Sequence, residues 1–166
     1  MFDSLFFEVD QTLGADCFAN AFAGFAWVDT DDIQLSDGVL INEVGPGGRV
    51  TLIESDENAI TDARRSFASV ENVEIVQARV EKALKDYRAA NVVVLDPPRA
   101  GAGAAVISAI AKLKPRNIVY VACDPAALAR DTAYLRDAGF KLNSLRAFDL
   151  FPMTAHMECV ARFMPA

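Results

Sequence analysis

Apolar and polar positions along this chain alternate between two periods. Short, largely apolar runs at Arg49 to Ser55, Val73 to Ala78, Asn91 to Leu95 and Asn117 to Ala122 predict strands. The last two lack polar alternation, as strands buried on both faces do. Stretches of helical period lie between them. Asp56 caps a helix carrying Ile60, Ala63 and Phe67 on one face, and a short helix runs over about 80–88. Ala102 to Lys114 places Val106, Ile107, Ile110 and Leu113 inward and stops before Pro115. Ala126 to Ala138 places Leu128, Thr132 and Leu135 on one side, with Gly139 at its C′ position. Two closing strands, about 141–148 and 157–164, flank Phe151-Pro152-Met153-Thr154-Ala155-His156.

The N-terminal part is less regular. Residues 2–9 predict a short edge strand, and Gln11 to Phe25 a helix with Phe18, Phe22 and Phe25 at helical spacing. Residues 29–37 are an acidic loop, Gly38 to Asn42 a short strand, and Val44-Gly45-Pro46-Gly47-Gly48 a turn. From 49 to 138, strand and helix alternate. That rhythm predicts βαβ units, a mostly parallel sheet and helices on both faces. The last two strands, with no helix between them, predict an antiparallel hairpin at one edge. One place breaks the pattern. A parallel crossover takes about a dozen residues, but only 43–48 separate the strand at 38–42 from the one at 49–55. Either those strands are not a parallel pair, or a loop and helix are absent there.

Composition narrows the class. A chain of 166 residues, over half of them apolar, is expected to fold as one domain with a real core. The net charge of −7 argues against unaided grip on a phosphate backbone. The three cysteines, Cys17, Cys123 and Cys159, have no CxxC spacing, so no disulfide framework or zinc site is expected and a reducing cytoplasm fits. No apolar run reaches about 18 residues, so no membrane span is expected. His156, the one histidine, cannot build a metal site alone.

Chemistry gathers at strand ends. Val119-Tyr120-Val121-Ala122-Cys123-Asp124-Pro125 puts a thiol at a strand tip, ahead of a helix that Asp124 and Pro125 begin. Open α/β sheets bind ligands at that edge. A helix N-terminus also lowers a thiol's pKa. Cys123 is therefore either a nucleophile or a packing residue. Glu54 ends another strand, where nucleotide-binding folds place the acid that holds ribose hydroxyls; a simple interaction with the helix dipole is the alternative. Asp96-Pro97-Pro98-Arg99 forces an extended exit from the sheet and presents Asp96 at the same edge, or is a plain strand-to-helix turn. Glu158 is either a general base facing the crevice or an exposed strand acid. Cys159 points to the opposite face from Glu158, into the core, and Cys17 lies on an apolar helix face.

Three blocks carry a resemblance: Leu95-Asp96-Pro97-Pro98-Arg99-Ala100-Gly101, Tyr120 to Asp131, and Asp149 to Glu158. In this order and spacing they resemble the uracil-5-methyltransferase family, which makes 5-methyluridine in ribosomal and transfer RNA. The resemblance runs from about residue 5 to the end, with one gap. It implies a class I S-adenosylmethionine-dependent methyltransferase fold, Rossmann-like, and an RNA substrate. It also implies Cys123 as nucleophile, Glu158 as proton-abstracting base, and Asp96 as an acid lining the shared cofactor and uracil site. Glu54 matches the acid on the cofactor ribose. Glu8, in Phe6-Phe7-Glu8-Val9-Asp10, stands where the family usually has a cofactor-contacting Gln. Arg79 falls where the family often has a cofactor-contacting polar residue.

The chain also departs from the family. The glycine-rich cofactor loop after the first sheet strand has no clear counterpart, because Gly45, Gly47 and Gly48 look like the turn before the next strand. That is the place where the crossover is too short. No N-terminal oligonucleotide-binding barrel or iron–sulfur cysteine cluster fits in the chain, which is expected to be a single catalytic domain, 1–166, whose RNA grip lies in a further region. The leading expectation is methyl transfer to uridine C5. The competing ones are a remnant or interaction domain that keeps the fold without cofactor binding, and a small-molecule methyltransferase on the same sheet.

Overall fold

The computed structural model describes residues 5–9, 48–149, 153 and 157–166. Seven strands form one sheet: β1 (Leu5–Val9), β2 (Val50–Glu54), β3 (Val73–Gln77), β4 (Val92–Asp96), β5 (Asn117–Ala122), β6 (Phe140–Phe148) and β7 (Glu158–Pro165). Their order across the sheet is β3-β2-β1-β4-β5-β7-β6. The helices are α1 (Glu57–Ser66), α2 (Val80–Ala83), which runs on into a 3-10 turn at Leu84–Asp86, α3 (Gly103–Lys112) and α4 (Pro125–Asp137).

Local signals explain the helix starts and one helix stop. Asp56 accepts from the amides of Asn58 and Ala59, both at 2.9 Å, and so caps α1. Asp124 caps α4 by accepting from Ala127 N at 2.8 Å, with Pro125 at the first position. Gly139 ends α4 at φ +91°, a conformation in which its missing Cβ removes the penalty.

Pairing directions follow the alternating pattern. β2–β3 and β4–β5 are parallel, whereas β5–β7 and β6–β7 are antiparallel. β2, β3, β4, β5 and β6 therefore share one direction, and β1 and β7 oppose it. The C-terminal hairpin is at the edge as expected, with β7 on its inner side against β5 and β6 outermost.

Residues 5–9 correct an expectation. They form no edge strand but lie centrally, antiparallel to both β2 and β4. The physical reason is hydrogen bonding. Val50, Ile53, Val93 and Val94 are all at most 2% exposed, so unpaired backbone groups on β2 and β4 would be costly. β1 satisfies both flanks. Among the described residues, β1 and β3 are the neighbours of β2. The expected helix over Gln11 to Phe25, the strand at 38–42, Gly45, Gly47, Cys17 and His156 lie outside the described residues.

Helices cover both faces. On one, Ile60, Ala63 and Phe67 of the α1 region pack on Val50, Leu52, Val92, Val94 and Val119. On the other, α2, α3 and α4 deliver Val80, Ile107, Ile110, Leu128 and Leu135 onto Ile53, Val93, Leu95, Ile118 and Tyr120. Each fully buried aliphatic side chain contributes about 1.5–3 kcal/mol. Among the described residues, no helix is long and apolar enough to cross a membrane.

Candidate active site

Strand parity assembles the site. Side chains two residues apart share a face of a sheet. Glu54 shares the face of Val50 and Leu52, Asp96 that of Val92 and Val94, and Cys123 that of Val119. The register Val121↔Val160 and Ala122↔Cys159 continues by one step to bring Cys123 beside Glu158. All four residues thus meet on the α1 face, at the edge where β2, β4 and β5 end and β7 begins. Cys159, one residue from Glu158, points the other way and is 4% exposed in the core, as expected.

Glu158 is buried, not an exposed strand acid. Burial pushes its pKa up, while Arg99 pulls it down. Asp96, at the tip of β4, is exposed, yet its carboxyl has much protein around it. Desolvation, then the negative charges of Glu158 and Glu54, push it up to about 7. Glu54 is almost fully buried at the tip of β2. Its Oε1 accepts from the amides of Ser55 and of Asp56, the latter at 2.8 Å, which fixes the carboxylate at the start of α1.

The thiol departs from expectation. The helix N-terminus beside Cys123 was expected to lower its pKa, but the pKa is raised. Burial is the largest cause, followed by the charges of Glu158 and Asp96. Two nearby carboxylates and desolvation outweigh a dipole equivalent to about half a charge. Arg99 opposes them and favours the thiolate. Arg99 was part of a recognised block, but its role was not apparent, because only folding brings it near Cys123 and Glu158.

Two expected residues stand apart. Glu8 is opposite Val93 and Thr51, three positions along β1 from the Leu5–Asp96 pair at the crevice edge. That spacing is roughly 10 Å along a strand, so this register does not bring Glu8 to the cluster. Arg79 follows β3 at the same sheet edge but pairs with Glu81 at 2.7 Å, with most of its side chain in solvent. Arg79 does not figure in the electrostatics of Cys123, Asp96 or Glu158.

Asp131 was also missed as a site-building residue. Fully buried on α4, it gathers the amides of Ala102 and Gly103, the Tyr120 hydroxyl and the Arg130 guanidinium. The available signal was its helical spacing with Leu128 and Leu135, which puts an acid on an apolar face.

The fold is that of the class I S-adenosylmethionine-dependent methyltransferases. Aeropyrum pernix fibrillarin, 14% identical, shares it with a TM-score of 0.62 over 77% of this chain and 61% of that one. The family model for tRNA (uracil-5-)-methyltransferase matches residues 53–163, and the chain belongs to that family. A Streptomyces avermitilis protein described as an uncharacterized RNA methyltransferase is 50% identical over 136 residues, 81% of this chain and 31% of that protein. A Thermotoga maritima protein of the same description is 42% identical over 113 residues, 66% of this chain and 26% of that one. The Pyrococcus abyssi tRNA (uracil-54, C5)-methyltransferase, solved with S-adenosyl-L-homocysteine, is 30% identical with a TM-score of 0.62 over 75% of this chain. The chain spans 31% of the Streptomyces protein, 26% of the Thermotoga protein and 32% of the Pyrococcus enzyme.

Proposed function

We propose that the chain methylates C5 of a uridine in RNA, with S-adenosylmethionine as donor, through a covalent bond between Cys123 Sγ and C6 of the base. One observation carries the reading: Cys123 and Glu158 are adjacent across β5 and β7, with Asp96 and Arg99 within electrostatic reach. Membership of the family supports it.

The residues present fit the donor. It carries a methyl group on a cationic sulfur, and an edge lined by Glu54, Asp96 and Glu158 suits a cation. The buried Glu54 carboxylate, held by two amides, suits a pair of ribose hydroxyls. In this reading Asp96 lines both subsites. Arg79, and less directly Glu8, are the remaining candidates for cofactor contact.

The chemistry matches the side chains. Uracil C5 is a poor nucleophile. The Cys123 thiolate adds to C6, the C5=C6 pair moves toward O4, and the resulting enolate is nucleophilic at C5. Arg99 favours the thiolate needed for that step. After C5 is methylated, Glu158 takes the C5 proton. The C–H pair re-forms C5=C6 and expels the thiolate. A carboxylate with a raised pKa is a better base than an ordinary one. The target base must leave its stack to reach the crevice. With a net charge of −7, RNA grip by a further basic region is part of this reading.

The test is trapping on RNA containing 5-fluorouridine, with S-adenosylmethionine present. Fluorine at C5 leaves Glu158 no proton to take, so the methylated adduct persists. A stable protein–RNA adduct is expected with the wild type and none with Cys123→Ala. No adduct with the wild type sinks the proposal.

One observation favours a second reading, a remnant without cofactor binding. β1 runs antiparallel, so Leu5 lies at the crevice edge and Val9 at the far one. The Asp96 end of β4 is thus met by the start of β1 and not by its end. Calorimetric titration with S-adenosylmethionine separates the two readings: no heat at millimolar ligand favours the remnant.

A further inference from the structure

Within the segment that follows Asp96, Gly101 N donates to Pro98 O at 2.7 Å. Pro97 and Pro98 donate no backbone hydrogen bond. The N-cap of α3, Ala102, makes no side-chain capping bond of its own. Support comes from α4 instead. Asp131 Oδ2 accepts from Ala102 N at 2.7 Å and Gly103 N at 3.1 Å, so a carboxylate from another helix caps α3. The Tyr120 hydroxyl donates to the same oxygen at 2.7 Å. Arg130 donates to Oδ1 through Nε at 3.0 Å and Nη2 at 2.7 Å, and Nη2 also reaches Ala100 O at 2.6 Å.

The fit is tight. Gly101 sits at φ +79°, and a Cβ there would fall 2.5 Å from Arg130 Nη2 and 2.6 Å from Asp131 Oδ2. Asp124, the N-cap of α4, directly follows Cys123, and Arg130 and Asp131 lie further along the same helix. One rigid helix therefore joins the thiol to the clamp on the loop that bears Asp96 and Arg99.

We propose that Asp131, acting with Tyr120 and Arg130, is a positioning residue that holds the Asp96–Arg99 segment against the Cys123 thiol. The proposal deepens the methyltransferase reading and rests on it for the use made of Cys123. The clamp itself touches no reacting atom.

The test needs neither donor nor RNA. The 166-residue chain is alkylated with iodoacetamide across pH, and the Cys123 peptide is followed by mass spectrometry so that Cys17 and Cys159 do not interfere. Asp96 raises the thiol pKa more than Arg99 lowers it. Releasing the segment removes both influences and admits water, so the alkylation midpoint in Asp131→Asn moves to lower pH, by about half a unit or more. Arg130→Gln, at a half-exposed position that tolerates change, moves it the same way. Arg136→Gln, on an exposed ion pair of the same helix, does not. A folded Asp131→Asn with lowered Tm and an unmoved or raised midpoint overturns the proposal, since a purely structural clamp gives that result. If Asp131→Asn does not fold, an unmoved or raised midpoint in Arg130→Gln overturns it. A shifted midpoint together with failure to trap fluorouridine RNA leaves the positioning role standing and removes the methyltransferase reading.

Discussion

Cys123 and Glu158 stand side by side across β5 and β7, one step beyond the Ala122–Cys159 pair. The carboxylate raises the thiol's pKa, and burial raises the carboxylate's own.

Glu158→Gln separates their roles. Removing the negative charge lowers the Cys123 pKa, so alkylation at neutral pH becomes faster. In the proposed reaction, loss of the base slows the proton abstraction that follows methylation, and with it turnover, by a factor on the order of 10²–10⁴. The fluorouridine adduct, which needs no proton abstraction, still forms. Alkylation rates, turnover and trapping on the same variant check the three outcomes.

Asp96 makes stability depend on pH. Its pKa is about 7 in the fold against an ordinary value of 3.8. Between those values the folded state holds more protons than the unfolded one. Stability therefore falls as pH rises through that window, from roughly 4 to 7. Glu158, also raised, adds in the same direction. Asp96→Asn is expected to flatten the fall, as measured by chemical denaturation at a series of pH values. A wild-type profile that rises over this window would contradict the assignment.

Two glycines with positive φ separate strain from crowding. Gly139→Ala meets nothing within 4 Å and costs about 1–2 kcal/mol from its φ of +91° alone. Gly101→Ala adds a clash with Arg130 and Asp131, so its loss exceeds that of Gly139→Ala. Urea denaturation of the two variants gives the comparison. Only Gly101→Ala is expected to move the alkylation midpoint of Cys123.

The α3 face tests the core. Ile110 is fully buried among helices and sheet. Ile110→Ala is expected to cost about 2–5 kcal/mol, read by the same method.

Much of the fold was legible locally. The alternation from 49 to 138 placed β2 through β5 and their helices, and Asp56, Asp124 and Gly139 marked ends that the structure keeps. Caps and periodicity act over a few residues, so they can be read from a few residues. The same period-two rule put Glu158 and Cys159 on opposite faces. What stayed hidden was non-local. The apolar run at Leu5–Val9 could not reveal that it would pair with two strands far along the chain. The sign of the shift at Cys123 was misread because the helix start is a sequence neighbour, whereas Glu158 and Asp96 are neighbours only in space.

The sequence by itself determined the alternating α/β pattern, the helix ends and the identity of the residues gathered at the strand tips. Those follow from side-chain period and backbone chemistry along the chain. Only the tertiary structure decided that β1 lies centrally, that Glu158 stands beside Cys123, that Arg99 comes within electrostatic reach of the thiol, and that Asp131 ties the Asp96 loop to the helix behind Cys123. Each depends on strand register or on charge and burial between distant segments, which exist only once the sheet has closed and the helices have packed on it.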